Sequence, residues 1–124
     1  MRRRFGTLIA DLADQDDRIY VISGDIGYRV FDEFRDRHPD RFINIGICEQ
    51  SMIGVSSGMA LEGLQPWVYT ITPFLIERPF EQIKLDINQQ NVNIINIVKD
   101  KKELINLYDK SHIMILPSYT EGYP

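Results

Sequence analysis

The chain has 124 residues, the size of one small domain. Its 14 basic and 18 acidic residues leave a net charge of −4, which excludes a strongly basic nucleic-acid-binding surface as the basis of its function. No apolar run approaches the roughly 20 residues of a membrane span, and the basic start is followed by acidic residues rather than by the apolar segment of a signal peptide. We therefore expect neither a nucleic-acid partner nor a membrane partner.

The first half of the chain alternates between helix and strand patterns. Apolar residues at 5, 8, 9 and 12 lie on one helical face and predict a helix over 5–13. A β-branched run predicts a strand over 18–24, and a short helix over 30–37 precedes an apolar run over 42–47 that we interpret as a buried strand. The next helix covers 49–62 and would end at Gly63. Within it, Gly54 and Gly58 indicate close packing against the sheet or against a partner helix.

The second half continues the alternation. A strand is predicted over 66–71, and the helix after it would bury an apolar stripe and either kink or begin at Pro79. The stripe consists of Ile76, Phe80, Ile83 and Ile87. A strand over 92–98, a helix over 101–110 and a strand over 113–116 complete the pattern. Because strands and helices alternate, we predict an α/β fold in which helices cover both faces of a parallel sheet.

Cys48 is the only cysteine, so no internal disulfide can form and a cytoplasmic location is expected. A nucleophilic cysteine needs a base, but neither His38 nor His112 lies near it in the sequence. We therefore expect Cys48 to be a small buried side chain, as free cysteines commonly are.

One acidic residue, Glu49, follows the predicted strand over 42–47 and opens the helix over 49–62. In an α/β sheet, a residue just past the carboxyl end of a strand lies where ligands bind. A carboxylate there could form hydrogen bonds to a heterocycle or transfer a proton. Equally, Glu49 could be an ordinary first-turn acid that the helix dipole favours. Its position alone leaves both interpretations open.

The sequence around Glu49 resembles a known family. The run Ile45-Gly-Ile-Cys-Glu-Gln-Ser-Met52, followed by Gly58-Met-Ala60, is similar to the pyrimidine-binding domain of the transketolase family of thiamine-diphosphate enzymes. The resemblance covers about residues 5–94 and includes Ser23-Gly-Asp25 and the stretch from 69 to 83. The sequence pattern is more similar to that of the small, split transketolase-like proteins of bacteria than to that of the long single-chain enzymes.

The resemblance implies a set of site residues. Glu49 would be catalytic, contacting N1′ of the aminopyrimidine and sharing a proton with it, and Gln50 would complete the acidic residue–Gln pair of the cofactor-activating segment. Phe74 and Phe80 would present aromatic rings to the aminopyrimidine, although both could instead pack in the core. Asp25 would lie near the subunit boundary and the thiazolium, or else serve only as a turn or helix-cap residue.

The chemistry that the resemblance implies is ketol transfer on a small sugar-phosphate-type substrate. A protonated Glu49 would need a dry surrounding, for which we expect the apolar neighbours Ile47 and Ile53. Arg78 could pair with a substrate phosphate or with Glu81, and the sequence leaves this choice open.

The metal-binding half of the family is missing from the sequence. Enzymes of this family hold the diphosphate and Mg²⁺ on a separate domain, with a Gly-Asp-Gly stretch and a later Asn. Ser23-Gly-Asp-Ile-Gly27 departs from this pattern at Ile26, and Asn44 follows it too soon. We therefore expect no metal ligands in this chain. A diphosphate-binding transketolase subunit would bind Mg²⁺ and share the thiamine diphosphate, in a dimer of heterodimers.

The tail resembles a different family. Residues 102–124 are similar to the C-terminal domain of retaining glycosyltransferases, in which a strand ending Leu-Pro-Ser precedes a Glu-Gly-Tyr-Pro type of turn. Glu121 matches the acidic position of that family, but the chain stops before the second acidic residue. We expect a transketolase-like domain over 1–94, with 95–124 continuing the α/β layer and the fold incomplete at the C-terminus. The alternatives are a glycosyltransferase remnant or a non-catalytic truncated chimera.

Overall fold

The computed structural model describes residues 2–88, 94–96 and 113–118. The helices are α1 (Arg2–Ala13), α2 (Asp32–Arg37), α3 (Glu49–Leu61), α4 (Thr72–Ile76) and α5 (Phe80–Gln82), with a 3-10 turn at Pro39–Arg41 and a π-helical segment at Ile83–Asn88. The strands are β1 (Ile19–Ser23), β2 (Phe42–Asn44), β3 (Gln65–Ile71), β4 (Ile94–Asn96) and β5 (Ile113–Ser118).

The five strands form one parallel sheet in the order β2-β1-β3-β5-β4. Ser23, the last residue of β1, is paired with Asn44 on one side and with Tyr69 on the other. The carboxyl ends of β1, β2 and β3 therefore lie at the same edge of the sheet, which we call the rim. The strand β5 from the tail pairs with β3 and belongs to this same sheet.

Hydrophobic side chains cover both faces of the sheet. Alternate residues of β1 face opposite sides, so Val21 belongs to one core and Ile22 to the other. The core that includes α1 and α2 consists of Ile9, Ala10, Ala13, Ile19, Val21, Val30, Phe31, Phe34, Trp67 and Tyr69. The core beneath α3 and α4 consists of Ile22, Met52, Ile53, Ala60, Val68, Leu75 and Ile87. The predicted α/β fold with helices on both faces is confirmed.

An ion-pair network joins α1 to α2. The Arg37 guanidinium contacts the carboxylates of Asp14, Asp11 and Glu33, the last two at 3.0 Å. The hydrogen bond from Arg37 holds the pKa of Asp14 below its ordinary value of 3.8. Because the three carboxylates are exposed and Arg37 is partly exposed, water and salt screen their attraction, and the network contributes less to stability than the core does.

The segment between β2 and α3 differs from its prediction. We predicted a buried strand over 42–47, but β2 ends at Asn44, lies at the sheet edge and is only partly covered. The chain turns at Gly46, whose φ of +77° suits glycine. Ile47 is consequently 68% exposed and Cys48 is also exposed. The predictions of a buried Cys48 and of Ile47 as an apolar cover for Glu49 are wrong.

The prediction that the apolar stripe after β3 is buried is wrong for the first half of the stripe. α4 ends at Ile76, and α5 begins after Pro79, so the predicted break at this proline is confirmed. The interruption changes which side faces inward. Leu75 is buried, whereas Ile76 is 45% and Phe80 63% exposed. Only the later part of the stripe, including Ile87, reaches the core.

The two glycines of α3 do not approach the sheet closely. A Cβ on Gly54 would make an ordinary contact with Asp86 at 3.6 Å, and one on Gly58 would meet none of the described atoms within 4 Å. The prediction that Gly58 packs closely against the sheet is therefore wrong. Packing of this helix against a partner helix stays a prediction. The predicted end of this helix at Gly63 is confirmed by a φ of +84° there.

Several predictions concern the tail. The predicted helix over 101–110 and the glycosyltransferase-like turn containing Glu121 lie outside the described residues. The domain division at 94/95 and the two alternatives that depend on the tail stay predictions. Within the part of the chain that the structure describes, no helix is long and apolar enough to cross a membrane.

Two glycine-to-alanine variants test the packing. A Cβ on Gly6 of α1 would lie 1.7 Å from the carbonyl oxygen of Val30, so Gly6→Ala is expected to destabilise the chain by about 1–3 kcal/mol through overpacking. Gly58→Ala is the matched control, because open space surrounds it and Ala is a better helix former by about 1 kcal/mol. Urea unfolding followed by circular dichroism measures both changes, and equal effects would contradict the α1 packing.

Candidate active site

Three loops meet at the rim of the sheet. The amide of Ile45, just after β2, donates to the carbonyl of Ser23 at 3.0 Å, and the amide of Gly24 donates to the carbonyl of Tyr69 at 3.2 Å. These hydrogen bonds extend the pairing of the strands into the loops that follow them. Residues after β1, after β2 and at the start of α4 are thereby held next to one another.

Asn44 fixes two of these loops. Its side-chain amide donates to Asp25 Oδ1 at 2.9 Å, and its Oδ1 accepts from the backbone amides of Asp25 and Gly46, each at 3.1 Å. Asp25 is exposed and takes a φ of +60°, which is unusual for a residue other than glycine. Asp25 is therefore a loop-fixing residue at the rim. This role of Asn44 was not predicted, because its partner is 19 residues away in the sequence.

Glu49 is the first residue of α3 and is only 2% exposed. Its Oε1 accepts a hydrogen bond from Nη1 of Arg78 at 2.9 Å. A first-turn acid that merely complements a helix dipole needs no burial, whereas burying a carboxylate is costly unless it is paired. The interpretation of Glu49 as an ordinary first-turn acid therefore does not account for its environment.

Arg78 lies in the break between α4 and α5, with its side chain 40% exposed. The predicted pairing of Arg78 with Glu81 is wrong, because the structure pairs Arg78 with Glu49. Its guanidinium also lies 3.5 Å from the centroid of the Phe74 ring, a cation–π contact. One side chain thus joins Glu49 of α3 to Phe74 of α4, although the residues are 29 and four positions away from it in the sequence.

The other predicted site residues differ in how far they are exposed. Phe74 is half-buried, whereas Phe80 is exposed on α5, so core packing is wrong for Phe80. Gln50 is exposed at the start of α3. The structure therefore brings together Glu49, Arg78 and Phe74.

Two buried hydroxyl groups lie at the end of β3. Neither Oγ1 of Thr70 nor Oγ1 of Thr72 has a hydrogen-bond partner among the described residues. A buried polar atom without a partner costs about 1–3 kcal/mol. Thr70 lies under the loop after β1, since a Cβ on Gly24 would lie 3.4 Å from its Oγ1. The end of β3 thus contains two polar groups whose hydrogen bonds are not met within the described residues.

A metal site is a separate question. Among the described residues, no three His, Cys, Asp or Glu side chains form a group that could hold a metal ion. Asn44, the nearest candidate for the family's metal-binding Asn, uses its amide to tie the loops after β1 and β2.

Comparisons with known proteins point to one family. Residues 1–100 match the family described as "Transketolase, pyrimidine binding domain". An uncharacterized 33.6 kDa protein in the fasciation locus of Rhodococcoides fascians is 44% identical over 91 residues, which are 73% of this chain and 29% of that protein. An uncharacterized transketolase family protein of Sinorhizobium fredii is 38% identical over 120 residues, covering 96% of this chain and 30% of its own length. A 1-deoxy-D-xylulose-5-phosphate synthase of Nitratidesulfovibrio vulgaris is 37% identical over 92 residues, 73% of this chain and 14% of the synthase.

A solved structure has the same fold. The chain described as "Split gene transketolase, inactive beta4 tetramer" matches with a TM-score of 0.70 at 20% sequence identity, covering 90% of this chain and 48% of that one. This chain therefore spans less than a third of the length of the three curated relatives and about half of the solved chain.

The Glu49–Arg78 pair can be tested by a double-mutant cycle. Arg78→Ala leaves a buried carboxylate unpaired and is expected to cost about 1–3 kcal/mol, less than for a fully buried pair because Arg78 is 40% exposed. In the Glu49→Gln background the same change should cost about 1 kcal/mol less. Urea unfolding of the four variants gives the coupling energy.

The Asp11–Arg37 pair is the control, because its carboxylate is 57% exposed whereas that of Glu49 is 2% exposed. Its coupling energy is expected to be at most about 0.5 kcal/mol. A Glu49–Arg78 coupling no larger than this would contradict the buried ion pair.

Proposed function

The chain belongs to the transketolase family as a pyrimidine-binding domain, and from this we propose that it supplies the pyrimidine-binding half of a thiamine-diphosphate active site for ketol transfer. The proposal assigns Glu49 to proton exchange with N1′ of the aminopyrimidine. The other half of the site would come from a separate diphosphate-binding subunit.

One observation carries this proposal. Glu49 occupies the acidic position of the family motif and is 2% exposed at the rim, where the loops after the strands meet. Its Oε1 accepts from Arg78, while Oε2 accepts no hydrogen bond from the described residues. A buried carboxylate with one uncommitted oxygen has the chemistry needed to hold or release a proton at a ring nitrogen.

The neighbouring residues fit an aminopyrimidine. Phe74 offers an aromatic ring close to Glu49, and stacking on such a ring contributes about 0.5–1.5 kcal/mol beyond the burial of its area. The Oγ1 atoms of Thr70 and Thr72 are buried near the end of β3 and have no hydrogen-bond partner among the described residues. When bound, thiamine diphosphate would supply the nucleophilic carbon that carries the ketol group.

The proposed division between two subunits rests on the sequence and on the family. The Gly-Asp-Gly pattern that holds the diphosphate and Mg²⁺ is not found in this sequence. A solved chain with this fold is described as an inactive β4 tetramer of a split gene transketolase. We propose that a diphosphate-binding subunit carries the Mg²⁺ site, that the two chains form a dimer of heterodimers, and that the substrate is a small sugar phosphate.

Reconstitution tests the proposed function. The chain is mixed with a diphosphate-binding transketolase subunit, thiamine diphosphate and Mg²⁺, and ketol transfer is recorded. Glu49→Gln and Glu49→Ala are expected to lower kcat by about 10²–10⁴-fold, because general acid–base catalysis at N1′ is lost.

Glu62→Gln is the matched control, because Glu62 is an exposed acid at the opposite end of the same helix. It should leave activity and subunit binding unchanged. Full activity of Glu49→Ala in an assembled complex would refute the proposed function.

A further inference from the structure

The Arg78 guanidinium contacts both side chains that the proposed site would present to an aminopyrimidine, namely Glu49 and Phe74. It donates to Glu49 Oε1 at 2.9 Å and lies 3.5 Å from the centroid of the Phe74 ring. A ligand that needs the Glu49 carboxylate and a face of Phe74 therefore meets a side chain that already satisfies both.

Guanidinium and aminopyrimidine share the relevant chemistry. Each contains a flat N–C–N unit and a face that stacks on an aromatic ring. The guanidinium always carries N–H donors in its plane, and the aminopyrimidine presents an N–H at N1′ when that nitrogen holds the shared proton. A carboxylate accepts the in-plane hydrogen bond of a guanidinium or of a protonated N1′, and a phenyl ring can stack against the face of either group. Arg78 in this chain makes both kinds of contact, with an N–H donated to Glu49 and its guanidinium carbon 3.5 Å from the centroid of the Phe74 ring.

The position of Arg78 allows it to move. It lies between Ile76, where α4 ends, and Phe80, where α5 begins, so its backbone is not inside a helix. Its side chain is 40% exposed, whereas the carboxylate that it contacts is 2% exposed. Rotation of the long arginine side chain into solvent would uncover Glu49 and Phe74 without unfolding either helix.

We infer that, in the free chain, the Arg78 guanidinium fills the position where the aminopyrimidine would bind, an inference that rests on the proposed function. Binding of an aminopyrimidine displaces its guanidinium, which the bound ring replaces on Glu49 and Phe74. Arg78 thus keeps the buried carboxylate paired until the cofactor arrives, and it lowers the affinity of the free chain for the cofactor by the strength of its own contacts.

The test is a titration of the isolated full chain with the free aminopyrimidine portion of thiamine, followed by calorimetry. Arg78→Ala is expected to bind this probe about tenfold more tightly than the unmodified chain does, because the competing charged hydrogen bond and cation–π contact are gone. Methylguanidine should bind Arg78→Ala, raise its Tm and compete with the pyrimidine. It should do none of these to the unmodified chain.

A second variant and a matched control accompany it. Arg78→Lys keeps a positive charge for Glu49 but lacks the flat guanidinium, so it should fold even if Arg78→Ala does not, and it should bind the probe about threefold more tightly than the unmodified chain. Arg35→Ala removes a different arginine, which lies 5.4 Å from the centroid of the Phe42 ring, and should leave probe binding unchanged.

Equal or weaker probe binding by the Arg78 variants, or methylguanidine that fails to compete, would overturn this inference. If the reconstituted enzyme still depends on Glu49, such a result would overturn only this inference and leave the proposed function standing. Reconstituted activity without Glu49 would instead refute the proposed function.

Discussion

The ion pair between Glu49 and Arg78 is the interaction on which the rest of the site depends. A carboxylate at 2% exposure is tolerated because a guanidinium stands 2.9 Å away. The same guanidinium packs over Phe74, so a single side chain couples the start of α3 to α4. The site is consequently a contact between elements that follow two different strands, and it exists only when both are in place.

The parallel sheet makes that contact possible. Because its strands run in the same direction, the loops after β1 and β2 and the start of α4 meet at one edge. Asn44 ties the loop containing Asp25 to the turn before Glu49. The two cores hold the sheet and helices together, while polar contacts at the rim set the geometry of the candidate site.

Local patterns predicted much of the fold, and non-local contacts explain what they missed. The helix ending at Gly63 and the break at Pro79 are local properties of the chain, and both predictions are confirmed. Cys48 was expected to be buried because free cysteines commonly are, but it is exposed next to β2, which lies at the sheet edge, and no local pattern reveals that position. Glu49 was found through its family motif. Its partner Arg78 was missed because 29 residues and a strand separate the two.

The most direct test of this account is a crystal structure of the chain assembled with a diphosphate-binding subunit, thiamine diphosphate and Mg²⁺. We predict that an oxygen of Glu49 lies within about 2.6–3.2 Å of N1′ of the aminopyrimidine, and that the Arg78 guanidinium has left the ring of Phe74. A bound cofactor whose pyrimidine lies elsewhere, with Glu49 still paired to Arg78, would contradict the account.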